Sequence, residues 1–174
     1  VAHGSDFEAG LSAIQDAPRF AAIVDTLEDT QANSITVSAG DNFLPGPFFN
    51  AGGDPALNAV LGSASIGRAD IEILNRIGVE ASAIGNHEFD AGARELGNAF
   101  FPTFNAAQAV TYRGGQFPYL SANVDYTPEP DLNFLIANFP TGANQALRRT
   151  VQAGGQEAGT VRGRIAPTAI INEN

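Results

Sequence analysis

The 174-residue sequence contains no cysteine, lysine, methionine or tryptophan. Without cysteine, disulfides and thiolate metal sites are excluded. Without lysine, Schiff-base chemistry and the lysine of a P-loop are excluded as well. No apolar run approaches the roughly 20 residues of a transmembrane helix, so we expect no membrane span. The sequence starts at Val1, which is typical of a processed or partly observed N-terminus.

Positive charge is also scarce, because 9 arginines face 19 acidic residues and the net charge is −10. A protein that uses nucleic acid as a scaffold is normally basic, so we expect no partner of this class. A small phosphorylated substrate remains compatible with the charge, since bound cations reverse the local field. The length and the 44% hydrophobic content suit a folded domain with a sizeable core.

Hydrophobic periodicity predicts an alternation of strands and helices, which is typical of an α/β fold. A first helix is expected from Asp16, with Phe20, Ile23, Val24 and Leu27 as its buried stripe. A second is expected over 69–77, ended by Gly78. Strands are predicted over 35–39, 79–84, 119–124 and 168–171, and loops with short helices over 43–67 and 125–165.

One more strand is expected to end near His3. Polar loops follow this strand and the strands predicted over 35–39 and 79–84. They are Asp6-Phe7-Glu8, Gly40-Asp41-Asn42 and Gly85-Asn86-His87-Glu88. In open α/β sheets, polar residues beyond the carboxyl ends of strands converge in one crevice. We therefore expect a functional site where these three loops meet.

Oxygen ligands dominate that site. The carboxylates of Asp6 and Glu8 would point the same way in an extended segment, and Asp41 and Asn86 each follow a glycine that permits a sharp turn. Three carboxylates and one amide suit Mg²⁺, Mn²⁺ or Ca²⁺ better than softer metals. A carboxylate shared by two cations is the usual centre of a two-metal hydrolytic site.

His87 has a separate role in this interpretation, since it lies beside the metals and need not be a ligand. Asp90 can reach its imidazole if the chain turns into a helix there. A carboxylate on one ring nitrogen fixes the tautomer and favours the imidazolium. The other nitrogen could then stabilise a phosphoryl oxygen or protonate a leaving alkoxide.

The segment Gly85–Asp90, "GNHEFD", resembles the signature of the calcineurin-like metallophosphoesterases, in particular their secreted 5′-nucleotidase branch. Gly40–Asn42 resembles the second motif of that family, and 67–75 and 118–124 resemble its intervening helix and a later strand. The resemblance implies two mixed β-sheets packed face to face with helices outside, an αββα sandwich that is incomplete in this chain. It also implies an extracellular or periplasmic location.

The resemblance further implies a role for each site residue. Asp6 and Glu8 would bind a first metal, Asp41 would bridge, and Asn86 would bind a second, with Mn, Mg, Ca or Zn as candidate ions. His87 and Asp90 would form a catalytic dyad. The implied activity is hydrolysis of phosphate esters, 5′-nucleotidase-like or alkaline-phosphatase-like, by a hydroxide that two metals activate.

Two features depart from the family pattern. Glu8 stands where the first motif of the family, Asp-x-His, has histidine, and no histidine follows His87. The later histidine and the Gly-His-x-His motif of the family therefore have no counterpart here. We interpret residues 1–174 as the N-terminal portion of a catalytic domain whose remainder is an expected partner, and we expect this portion alone to be inactive. The alternatives are a non-catalytic extracellular surface or assembly module and a calcium-binding module on the same scaffold.

Overall fold

The computed structural model describes residues 16–126, 128–132 and 157–172. Within them the helices are α1 (Asp16–Thr30), α2 (Pro47–Ala51), α3 (Asn58–Leu61), α4 (Arg68–Ile77) and α5 (Ala93–Phe100). The strands are β1 (Val37–Ser38), β2 (Ala81–Ala83), β3 (Thr103–Phe104), β4 (Val110–Tyr112), β5 (Tyr119–Leu120) and β6 (Ile165–Ala166). Short 3₁₀ turns lie at Pro55–Leu57, His87–Phe89, Pro130–Leu132 and Ala158–Thr160.

Four parallel strands form the main sheet, in the order β1-β2-β5-β6. Strands β3 and β4 form a separate antiparallel pair. Together with the helices, this confirms the predicted α/β class and is consistent with an incomplete α/β sandwich. Because all four strands run the same way, their carboxyl ends lie at one edge of the sheet.

One face of the main sheet carries the core. Tyr119 and Ile165 are aligned across neighbouring strands, and both side chains are buried. The ring of Tyr119 packs 4.4 Å from that of Phe100 and 5.7 Å from that of Phe117, between centroids. Helix α4 adds Ile71, which is fully buried. The helical layer and the sheet therefore share one aromatic core beneath the loops that follow β1 and β2.

Helix α4 forms as predicted. Ile71 and Ile77 are buried and Leu74 is half-buried, which confirms the predicted inward face. Gly78 ends the helix with φ +87°, and its N–H bonds to the carbonyl groups of Leu74 and Asn75. An i, i+3, i+6 apolar spacing followed by glycine thus predicted both the buried face and the C-terminal end of this helix.

The predicted buried stripe of α1 is wrong in most of its members. Phe20, Ile23 and Leu27 are 37%, 57% and 59% exposed, whereas Val24, together with Ala21, packs against the core. Helix α1 packs mainly on α4. The small side chain of Ala21 permits a close approach there, and the larger side chains point away.

The last predicted strand is also misplaced. The sheet uses Ile165–Ala166, and the 168–171 segment contributes a single bridge between Ile170 and Glu157. Pro167 follows the strand directly and cannot donate a ladder hydrogen bond, so the pairing ends there. In the 43–67 segment, the short helices α2 and α3 lie between loops, as predicted.

Within the described part of the chain, no helix combines the length and apolarity that crossing a membrane requires.

Candidate active site

The first loop of the site follows β1 and contains Gly40, Asp41 and Asn42. Gly40 has φ +95° and Asp41 has φ +52°, so the chain reverses within two residues of the strand end. Glycine adopts the left-handed region without steric cost, and aspartate tolerates it better than most residues. The reversal places the Asp41 carboxylate at the carboxyl edge of the sheet, half-buried.

The second loop follows the neighbouring strand β2 and begins at Gly85. A β-carbon on Gly85 would lie 2.1 Å from Asp41 Oδ1, so the two loops touch at a point where only glycine fits. The backbone N–H of His87 donates to Asp41 Oδ1 at 3.0 Å. Asn86 lies between these two contacts and is exposed, and its side chain makes no capping bond to the following turn.

His87 and Asp90 lie on one side of the 3₁₀ turn at His87–Phe89. His87 Nδ1 is 2.5 Å from Asp90 Oδ2, and the two side chains are 42% and 37% exposed. The hydrogen bond to Asp90 raises the pKa of His87, and the negative charges of Asp90, Asp41 and Glu88 act in the same direction. The ring is held by Nδ1, which leaves Nε2 for another partner.

Glu88 joins the two loops from below, a role that its sequence pattern does not predict. Its side chain is fully buried. Oε2 accepts the N–H groups of Asp41 at 3.0 Å and Gly85 at 2.7 Å. Oε1 accepts the N–H of Asn42 at 2.7 Å and the hydroxyl of Tyr119 at 3.3 Å.

A polar network continues from Glu88 into the sheet. The Asn42 amide donates to Ser82 Oγ at 2.8 Å and to the Tyr119 hydroxyl at 2.9 Å, and it accepts from Ser38 Oγ. Burial, and next the charge of Glu88, raises the pKa of Tyr119 well above its usual range, so its phenol keeps the proton that it donates. Buried polar groups in such a network fix the loop geometry because each needs its partner.

Four of the six predicted site residues therefore meet at one edge of the sheet: Asp41, Asn86, His87 and Asp90. Asp6 and Glu8 lie outside the described residues. Among residues 16–126, 128–132 and 157–172, no three His, Cys, Asp or Glu side chains are grouped as a metal site would require. The roles of the six residues stay predictions.

The donor chemistry of the described residues fits a hard divalent cation. Asp41 offers a carboxylate and Asn86 an exposed amide, and both are oxygen ligands of the kind that Mg²⁺, Mn²⁺ and Ca²⁺ prefer. The absence of a side chain at Gly85, the residue before Asn86, leaves room for the Asp41 carboxylate. These two residues supply part of a coordination sphere and would need further ligands.

Glu88 carried only a weak signal in the sequence. Successive residues in a 3₁₀ turn point about 120° apart, so Glu88 could not face the same way as His87. The spacing does not reveal its partners, because Asp41 and Asn42 precede it by 47 and 46 residues.

Comparison with known proteins finds two similar sequences. The trifunctional nucleotide phosphoesterase protein YfkN of Bacillus subtilis (strain 168) is 30% identical over 141 residues, which is 78% of this chain and 8% of that protein. An uncharacterized protein in the pqq-V 5′ region of Acinetobacter calcoaceticus is 29% identical over 112 residues, 60% of this chain and 49% of that protein. The chain thus spans less than a tenth of the first relative and about half of the second.

No protein-family model and no solved structure matches the chain. The similarity to YfkN indicates a distant relation to a nucleotide phosphoesterase, which is a hydrolase.

Proposed function

We propose that the protein containing this chain is a secreted, metal-dependent phosphoesterase of the 5′-nucleotidase-like class, which hydrolyses phosphate esters of small molecules such as nucleotides. The observation that supports the proposal best is the meeting of Asp41, Asn86 and the His87–Asp90 pair at one sheet edge. The distant relation to a nucleotide phosphoesterase favours the same class.

In this proposal Asp41 and Asn86 would hold the cations, with Asp6 and Glu8 as further ligands. Two divalent cations bound there supply Lewis acidity toward the phosphoryl group and a nucleophile at neutral pH. The oxygen-rich donor set favours Mn²⁺, Mg²⁺ or Ca²⁺, with Zn²⁺ also possible.

His87 and Asp90 handle the proton and the charge on phosphate. Asp90 holds Nδ1, which fixes the tautomer and orientation of the imidazole. Nε2 then donates to a phosphoryl oxygen or to the leaving oxygen of the ester, and a proton on the leaving group makes its departure easier. Both side chains are partly exposed, so a substrate can reach the ring from solvent.

The proposal is tested by phosphate release from nucleoside monophosphates by the complete protein, with each of the four cations added in turn. General acid–base groups typically contribute about 10²- to 10⁴-fold to rate, so we expect His87→Ala to lower kcat by that range. Asp131→Ala is the control, because it truncates a partly exposed side chain that pairs with Arg94 at 3.5 Å, outside the proposed site, and should leave kcat unchanged.

Equal rates for wild type and His87→Ala would overturn the proposed mechanism. A protein that binds calcium and shows no turnover with any of the cations would instead support the calcium-binding alternative. A protein that binds no cation and self-associates would support the non-catalytic assembly module.

A further inference from the structure

The buried carboxylate of Glu88 has every acceptor position in use. It receives three backbone N–H groups and one hydroxyl, at 2.7 to 3.3 Å. A carboxylate offers about four lone-pair sites, so this side chain is saturated. Its bonds are divided between two loops, since Asp41 and Asn42 belong to the first and Gly85 to the second.

We propose that Glu88 is a positioning residue that holds Asp41 and Asn86 at the separation that a bound divalent cation requires. This inference rests on the proposed function. Glu88 fixes the backbone of Asp41 directly and the backbone of Asn86 through the adjacent Gly85. It is fully buried, so it acts through these residues and does not touch substrate.

A carboxylate is required here for a chemical reason. Glutamine has nearly the same shape, but its NH₂ group would face backbone N–H groups that are themselves donors. Aspartate is shorter by one methylene and would not span the two loops. Groups behind metal ligands typically affect metal affinity by about 10- to 100-fold when they are removed.

Glu72 offers a matched comparison within the same molecule. It is also a buried glutamate, but it lies on α4 and pairs with Arg76 at 2.9 Å and Arg113 at 3.4 Å. Substitution of Glu72 removes a buried carboxylate without touching either loop. A general effect of losing a buried charge would therefore appear in both variants, and a positioning effect only in the Glu88 variant.

The test is calorimetric titration of the complete protein with Mn²⁺, at a temperature where each variant is folded. We expect Glu88→Gln to weaken Mn²⁺ binding by about 10- to 100-fold. We expect Glu88→Asp to fail to restore affinity, and Glu72→Gln to bind within about twofold of wild type. Hydrogen exchange should show faster exchange of the Asp41, Asn42 and Gly85 amides in Glu88→Gln.

Tyr119→Phe keeps the test decisive if Glu88→Gln does not fold. This variant removes one of the four donors to Glu88 and keeps the ring in the core, so a smaller loss of Mn²⁺ affinity is expected. If Glu88→Gln folds and binds Mn²⁺ with wild-type affinity, the inference about Glu88 is overturned. If Glu88→Gln does not fold, wild-type affinity in Tyr119→Phe overturns it. Either result leaves the proposed function standing. Wild-type protein that binds no divalent cation would overturn the proposed function, and the inference with it.

Discussion

The contact between His87 and Asp90 determines how the site edge responds to pH. The hydrogen bond to Asp90 raises the pKa of His87 above its ordinary value of 6.5, and nearby carboxylates add to the effect. A group whose pKa is raised on folding stabilises the folded state most when it is protonated. The contribution of the pair is therefore complete below about pH 6.5 and is lost as the pH rises through the raised pKa.

We predict that Asp90→Asn returns the pKa of His87 toward 6.5 in the metal-free protein, because it removes the largest cause of the shift. The imidazole proton signals of NMR spectra recorded across pH measure this directly in the presence of a chelator. His3→Ala assigns the signals, since the chain has two histidines. Asp131→Asn is the control and should leave the pKa of His87 as it is in the wild type. An Asp90→Asn variant in which His87 keeps its wild-type pKa would contradict the prediction.

The residue scale also shows what a sequence reveals of a site. The position of Asp41 and Asn86 at the sheet edge could be predicted because each follows a glycine at the end of an apolar run, whereas their roles stay predictions. His87 drew attention because its neighbours carry charge. The role of Glu88 could not be predicted, because it depends on donors from another loop and from Tyr119. Residues that bind backbone groups across a fold leave little local pattern.

At the scale of elements, hydrophobic periodicity shows which residues share one face of a helix, but it does not show whether another element covers that face. In α4 the face was correctly assigned as buried, because Ile71 and Ile77 meet the aromatic core. In α1 the same kind of spacing put Ile23 and Leu27 on one face, yet that face is exposed. The contacts that decide between the two outcomes come from other elements and are not written in the helix itself.

This difference gives a paired prediction. Leu27 is 59% exposed and Ile71 is fully buried, although both belong to apolar helical stripes. We expect Leu27→Ala to change the free energy of unfolding by less than about 0.5 kcal/mol. We expect Ile71→Ala to lower it by about 2–5 kcal/mol, because it leaves a cavity against the core. Urea unfolding of the two variants, monitored by circular dichroism, measures both values, and similar losses would contradict the exposed placement of α1.

The strand that ends the described sheet shows a second limit of local patterns. Ile170 and Ile171 are both β-branched and have a higher strand propensity than Ile165–Ala166. The pairing is nevertheless made by the segment that lies beside β5. The N–H of Tyr119 donates to the carbonyl of Arg164, and the N–H of Ser121 donates to that of Ala166, which fixes β6 beside β5. Pro167 then ends the ladder.

At the scale of the whole molecule, the main sheet presents two unlike faces. Ser38, Ser82, Tyr119 and Ile165 form one aligned row toward the helices. Since side chains alternate along a strand, Val37 belongs to the opposite face, where it is 64% exposed; Ile35, two residues earlier, is 52% exposed. Parallel sheets in globular proteins are normally covered on both faces.

On this second face Ala81 and Ala166 are buried, so the exposed part is its β1 end. We predict that this end gives the isolated chain a measurable affinity for a hydrophobic dye. The double substitution Ile35→Thr and Val37→Thr should reduce dye fluorescence, because threonine keeps the β-branched shape and adds a hydroxyl. The free energy of unfolding should change by less than about 0.5 kcal/mol per residue, since both side chains are largely exposed.

The control for this prediction is Val60→Thr in α3, where a valine is 62% exposed away from the sheet. One scattered exposed valine should bind no dye, whereas the paired side chains of Ile35 and Val37 lie on the same face of one strand segment. A double variant with the fluorescence of wild type would show that the apolar face is covered in solution. A fall in fluorescence confined to the double variant would locate the dye-binding surface at Ile35 and Val37.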